Sequence, residues 1–216
     1  ERKMLMQTVS AQTLRRLPAY LNYLKKVYTE GRKNISAKAI AEALGLGEIQ
    51  VRKDIASASS GGRPNVGYSV KELILELEEY LGYNDANDAV LVGAGKLGSA
   101  LMSYQGFKEY GLNIVAGFDL NVPDNYYVGE KPVFSMERLP LVCKRLNIKL
   151  GIITVPSQAA QEVCDTMVAC GIQAIWSFAP THLVVPEGIL VRNENMAFSL
   201  AMLSKHLKEK MLDDLN

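Results

Sequence analysis

Between Leu17 and Tyr28, apolar residues at 17, 20, 21, 24, 27 and 28 recur every three or four positions, the period of a helix with one face turned to a core. Pro18 is tolerable in the first turn of such a helix, and Gly31 supplies its stop. Ser36 can cap a short second helix, Ala37 to Leu44, closed by Gly45; only Leu46 and Gly47 separate it from a third, Glu48 to Ala58. Two short helices joined by a tight glycine-containing turn have the outline of a helix-turn-helix. On the third, Val51, Ile55 and Ala58 share an inward face, which sets Lys53 at the centre of the opposite one, with Ile49, Ala56 and Ser57 near it and Gln50 and Arg52 on its flanks. In SSGGRPNVGY, 59 to 68, Gly61 and Gly62 permit a turn with Arg63 at its tip, and Val66 and Tyr68 alternate as a returning strand would, predicting a winged helix. Ser69 and Glu72 form a capping box opening a helix with Leu73, Ile74, Leu77 and Leu81 on one side, ending at Gly82. The polar stretch YNDAND, 83 to 88, breaks the pattern and is read as a domain boundary.

Beyond the break, short apolar runs alternate with helical patterns. The strand Ala89 to Val92 leads into Gly93, Ala94, Gly95, Lys96, Leu97 and Gly98, spaced G-x-G-x-x-G, with a helix from Leu97 onward. In that context one glycine allows the turn, one lets backbone N–H groups approach a pyrophosphate, and one lets helix pack on strand. The strand at 113 to 119 ends in Asp119, whose carboxylate can accept from a ribose 2′-OH and would repel a 2′-phosphate, so NAD(H) is favoured over NADP(H). A helix from Met136 to Leu146 capped by Ser135, a strand Leu150 to Val155, a helix Ser157 to Ala169, and strands Ala174 to Phe178 and Ile189 to Arg192 complete an α/β Rossmann-like doubly wound parallel sheet. Thr154, Val155 and Pro156, and Phe178, Ala179 and Pro180, lie at carboxyl ends of strands, where such sheets bind ligands. The last segment, Met196 to Met211, carries Met196, Phe198, Leu200, Met202, Leu203 and Leu207, an apolar surface broad enough either to cover its own sheet or to insert into a second subunit.

Charge sharpens the division. Residues 1 to 82 hold 13 Lys+Arg against 9 Asp+Glu, and residues 83 to 216 hold 11 against 14; between Arg15 and Arg63 there are 10 basic and 4 acidic residues, which suits a polyanion partner. Arg and Lys can donate to guanine or phosphate and Gln can pair with adenine, so the face around Lys53 suits a major groove, the other reading being a solvated helix face. Of the two histidines, His206 falls in the terminal helix, and loop residue His182 is a possible base, but no partner carboxylate or arginine is evident and it is read as structural or solvated; no catalytic residue is assigned. Cys143, Cys164 and Cys170 lack C-x-x-C spacing and are read as buried small hydrophobes, so no metal site is expected. No stretch approaches the roughly 20 apolar residues of a membrane span, and the start lacks the apolar block of a secretory signal, so the cytoplasm is the expected compartment.

The ordered series RRLPAYLNYL, VRKDI, GRPNVGY, GAGKLGSAL, YQGF, AGFD, ITVP, FAP, VPEGILVRN and the final helix resembles the Rex family of redox-sensing transcriptional repressors over nearly the whole chain. The resemblance implies a winged helix-turn-helix at 1–84, a Rossmann NAD(H)-binding domain at 85–193 and a dimerising helix exchanged between subunits at 194–216. It implies operator DNA, an A/T-rich inverted repeat, contacted through Gln50, Arg52, Lys53 and Arg63, with Arg16 added from the first helix. It implies NADH and NAD+ as regulatory ligands of the residues named above and of Asn193, with Phe198 of one subunit approaching the nicotinamide held by the other, and Tyr104 associated with the switch. Some members join that tyrosine to an Arg on the first helix and an Asp in the last; the matching positions here are Asn22 and Ala197, so both charges are missing together. The wing, SASSGGRP, also departs from the aromatic, glycine-rich form of some relatives. Two other readings are a small NAD-dependent oxidoreductase whose N-terminal domain mediates dimerisation, and a DNA-binding protein with a fixed, structural nucleotide.

Overall fold

The computed structural model describes residues 9–63, 66–85 and 87–213. Pro64 and Asn65 of the expected wing and Ala86 of the polar break lie outside them. The chain divides into two compact units between residues 85 and 86.

The first unit opens with helix α1, Ala11–Thr29. It begins well before Leu17, so Pro18 sits in its interior and not in its first turn. The extra length is fixed locally: the Ser10 hydroxyl accepts from the Thr13 N–H, and Thr13 and Arg16 both bond to Asp54. Pro18 withholds an N–H from the carbonyl of Leu14, which lies on the exposed side. Strand β1, Asn34–Ile35, leads through the Ser36 cap to α2, Ala37–Leu44, which ends on Gly45 at φ +65°, and α3 runs Glu48–Ala58. Leu17, Tyr20, Leu21 and Leu24 of α1 meet Ile40, Val51 and Ile55 in one core.

The wing differs from its expected form. Strand β2, Tyr68–Ser69, pairs antiparallel with β1, and the segment before it contributes one isolated bridge, Arg63 to Gly67. Arg63 therefore flanks the tip instead of occupying it, and Val66 lies in the turn. Gly67 explains the tightness: at φ +83° a Cβ there would stand 2.4 Å from the Ile35 carbonyl oxygen. Helix α4, Val70–Tyr80, follows the Ser69 cap and closes the unit with Leu73 and Leu77 buried.

The second unit is built on strands β3 (Asn87–Val92), β4 (Leu112–Asp119), β5 (Tyr127–Val128), β6 (Lys131–Ser135), β7 (Leu150–Ile153), β8 (Ala174–Ser177) and β9 (Leu190–Asn193). Their order is β5-β6-β4-β3-β7-β8-β9, all parallel except the β5 edge. The sheet winds outward in both directions from β3 and β7, the doubly wound order in which ligands bind at the switch point. Alternation explains the two-sided core. Val90 and Val92 face α6 (Leu139–Leu146) and α7 (Ser157–Ala169), whereas Ala89 and Leu91 face the side of α5 (Lys96–Ser103). Each fully buried leucine of this kind is worth about 2–5 kcal/mol against alanine.

Several boundaries move for identifiable reasons. Asn87 and Asp88, expected in the break, belong to β3 because they pair with Leu112 and Asn113. Helix α6 starts at Leu139, not Met136: Pro140 is favoured in its first turn, and ahead of it Met136–Arg138 forms a 3-10 turn in which the Ser135 hydroxyl caps nothing. The hairpin β5–β6 and a 3-10 turn at Gln105–Tyr110 lack periodicity and escape the sequence reading. Helix α8, Met196–Asp213, ends the chain, and every residue from Met196 to Leu212 is exposed. It does not cover its own sheet.

Candidate nucleotide crevice and DNA-reading helix

At the switch point the loop after β3 and the loop after β7 are fastened together. The Thr154 hydroxyl donates toward the carbonyls of Gly93, at 2.7 Å, and Val92, at 3.1 Å, while the Thr154 N–H donates to Val92. The three glycines are spared a side chain for different reasons. Gly93 adopts φ +103° and presses against the Thr154–Val155 backbone, where a Cβ would stand 2.9 Å away; a Cβ on Gly98 would come within 2.0 Å of the Gly93 carbonyl oxygen. At Gly95 a Cβ would meet nothing within 4 Å. The packing of the protein itself does not require that glycine.

Gly95 is also the N-cap of α5 and supplies no side-chain bond, so the first turn of that helix has no side-chain cap, the arrangement that favours an anion. Asp119, at the end of β4, accepts from the Ala94 N–H at 2.8 Å and from Leu120 at 2.7 Å. Each carboxylate oxygen keeps lone-pair capacity for a ribose hydroxyl. Pro156 is the bare N-cap of α7. On the next strand the Phe178 N–H donates to Ile153, and Ala179 is buried beside Pro180. Asn193 pairs with Ser177 at the end of β9. These groups fit a dinucleotide: open glycine, uncapped helix, ribose acceptor and an aromatic ring at the far strand.

The sequence reading missed how Phe178 is supported. Trp176, the chain's one tryptophan, lies 4.8 Å from it, Phe107 lies 5.7 Å from Trp176, and Tyr104 meets Phe107 edge-on at 4.9 Å. Four rings thus link the exposed Tyr104 to the crevice. The Trp176 N–H donates to Glu194 at 3.2 Å, fastening the chain just before α8. Phe198, on the exposed helix, has no ring neighbour among the described residues of its own chain. The His182 side chain is exposed in its loop, and the Cys143, Cys164 and Cys170 thiols are all pushed up by burial.

On the first unit, α3 presents Ile49, Gln50, Arg52, Lys53 and Ala56 outward and buries Val51, Asp54, Ile55 and Ala58. Arg52 pairs with Glu48 one turn earlier. The buried Asp54 is the unexpected member. Its carboxylate accepts from Arg16 Nε at 2.7 Å, the Arg16 terminal nitrogen at 2.9 Å, the Tyr20 hydroxyl at 2.7 Å and the Thr13 hydroxyl at 2.9 Å. Burial alone would raise this carboxyl, but the bonds from Arg16, Tyr20 and Thr13 outweigh it and hold it below the usual range. Burial and Asp54 push the Tyr20 phenol up to about 12. Arg16, read from the sequence as a DNA contact, thus has its fork occupied by Asp54, and its direct effect is to lock α1 onto α3. The signal for Asp54 was its position: residue 54 falls between Val51 and Ile55 on the inward face.

Comparison with known proteins agrees with this arrangement. Residues 8–56 match the family model "Putative DNA-binding protein N-terminus" and residues 84–181 match the "CoA binding domain" model. The chain is 40% identical over 210 residues to the redox-sensing transcriptional repressor Rex of Porphyromonas gingivalis, covering 96% of each protein. It is 42% identical to the Rex protein of Treponema denticola, covering 93% of this chain and 96% of that one. Among solved structures it resembles RSP in complex with β-NAD+ and operator DNA, at 32% identity and TM-score 0.88 with 96% of each chain covered. It also resembles RSP in complex with β-NADH, at 31% identity and TM-score 0.83, covering 97% of this chain and 100% of that one.

Proposed function

Because the chain belongs to the Rex family of redox-sensing transcriptional repressors, we propose that it binds operator DNA through its first unit and releases it when NADH accumulates relative to NAD+. The observation that carries this reading is the pairing, in one chain, of an outward-facing helix α3 with a crevice whose central glycine, Gly95, is left bare for a ligand. It is a regulator and not an enzyme, and it works in the cytoplasm. No described helix is long and apolar enough to cross a membrane.

In this reading Gln50, Lys53 and Arg52 meet base edges and phosphates of an A/T-rich palindrome, Arg63 enters from the flank of the wing, and Arg16 acts by holding α3 in place. Gly93 to Gly98 hold the pyrophosphate, Asp119 the ribose, and the turns at Thr154–Pro156 and Phe178–Pro180 with Asn193 line the nicotinamide end. The protein functions as a homodimer in which α8 enters the partner, placing Phe198 of the partner subunit beside the nicotinamide. Two DNA-reading units on one two-fold axis match a palindromic site. When bound, the dinucleotide supplies one bit of chemistry: its ring is cationic when oxidised and neutral when reduced. Phe178 and the partner's Phe198 offer no counterion, so a cation there is costly to bury and the closed, DNA-incompatible arrangement is selected by the neutral form.

The test is binding of an A/T-rich palindrome with NADH, with NAD+ and with neither. Loss of DNA binding with NADH alone is the expected result. DNA affinity indifferent to NADH would mean a fixed structural nucleotide, and turnover of NADH with simple carbonyls would restore the oxidoreductase reading.

A further inference from the structure

A recess lies away from the crevice, at the opposite, amino end of the sheet. It has a volume of about 640 Å³ and lies between the end of α5, the start of β4 and the β5–β6 hairpin. Met102, Ile114 and Val128 give it an apolar floor, and Ser103, Gln105, Lys108 and Lys131 a polar rim. Lys108 and Lys131 thus line one space. Lys131 is partly buried and donates to the Met102 carbonyl at 2.6 Å. Among the described residues no carboxylate lies within 4.0 Å of either nitrogen; Glu130, also on the rim, is exposed and farther off. Burial, with the like charge of Lys108 added, holds Lys131 below the ordinary lysine range. An anion between the two would relieve both costs.

We propose that this recess binds a small metabolite carrying a doubly charged oxyanion, either a phosphate ester or a dicarboxylate, whose charge is met by Lys108 and Lys131 and whose carbon skeleton rests on Met102, Ile114 and Val128. Such a ligand would touch two structurally connected places. Ser103 and Gln105 flank Tyr104, the outer member of the ring ladder, and Asn113 on the lining donates to Asp88 at the beginning of β3, where the chain arrives from the first unit. The site is separate from the nucleotide crevice and does not depend on the sensor reading.

The experiment is calorimetric titration of the full chain, free of nucleotide, with inorganic phosphate and with malonate at constant ionic strength. At least one is expected to bind saturably, weakened tenfold or more by Lys108→Gln and by Lys131→Gln and unaffected by Lys144→Gln on the exposed face of α6. Binding of phosphate alone would identify a phosphate ester, of malonate alone a dicarboxylate, and of both a site for either. No saturable binding, or equal affinity in the Lys108→Gln protein, would overturn the proposal. Lys108 is exposed and its substitution does not threaten the fold; unchanged NADH affinity in that variant would show that a failure here leaves the sensor reading standing.

Discussion

Asp54 of the first unit and Asp119 of the second are each a carboxylate that ties one element to another, and they are used in opposite ways. Asp54 is buried and saturated by four side-chain bonds from α1. Asp119 is half-exposed and takes two backbone N–H groups, leaving capacity toward solvent. A carboxylate closed off by long side chains fixes geometry; one held by backbone and left half open fixes geometry and still offers itself to a ligand. Only the second fits a binding role.

The largest effect that could break this contrast is Asp54→Ala. It strands the Arg16 charge and two hydroxyl donors, Tyr20 and Thr13, and is expected to destabilise the first unit by roughly 3–5 kcal/mol, nearer the lower figure because Arg16 is partly exposed. Denaturant unfolding would show an early transition and DNA binding would fail, with NADH binding retained. Next, Asp119→Asn should reduce NADH affinity about tenfold, about 1.4 kcal/mol, with a smaller loss of stability, and should narrow the preference for NADH over NADPH. If its chief effect is on unfolding, the two aspartates are alike after all.

A smaller effect concerns pH. The Asp54 carboxyl is lowered in the fold, so its contribution is present above the ordinary value near 4 and lost as pH falls through the native one. The Tyr20 phenol is raised, so its contribution is present below about 10 and lost as pH rises through about 12. Tyr20→Phe should cost about 1–2 kcal/mol at neutral pH and flatten the alkaline loss in thermal melts across that window. Least of all, Ala197→Asp, which in the proposed dimer would add a carboxylate to the helix that approaches the nicotinamide, should shift the ratio of NADH to NAD+ affinities by less than tenfold toward NAD+; titration of both cofactors reads it, and an unchanged ratio would count against the charge argument.

Much of this was legible in local pattern. Ser36 and Gly45 bound α2, and the apolar spacing of α3 and α7 set their ends, because caps and periodicity act within a turn or two. Asp54 was legible as a position but not as a contact: its partner lies 38 residues earlier. The glycine spacing named three tasks, yet telling the open glycine, Gly95, from the other two required knowing that Gly93 and Gly98 are crowded by Thr154 and by each other. The ladder from Tyr104 to Phe178 joins strands and turns far apart in sequence, and the β5–β6 hairpin has too few residues to show a period.

A helix that shelters nothing of its own carries a thermodynamic consequence. With a second copy as the occupant of its apolar surface, the free energy of covering α8 depends on how much protein is present, so the stability of the second unit and its tendency to associate become one quantity. Its melting temperature should then climb with concentration, and the amount of repressor in the cell becomes, alongside the nucleotide ratio, a variable that the molecule reports.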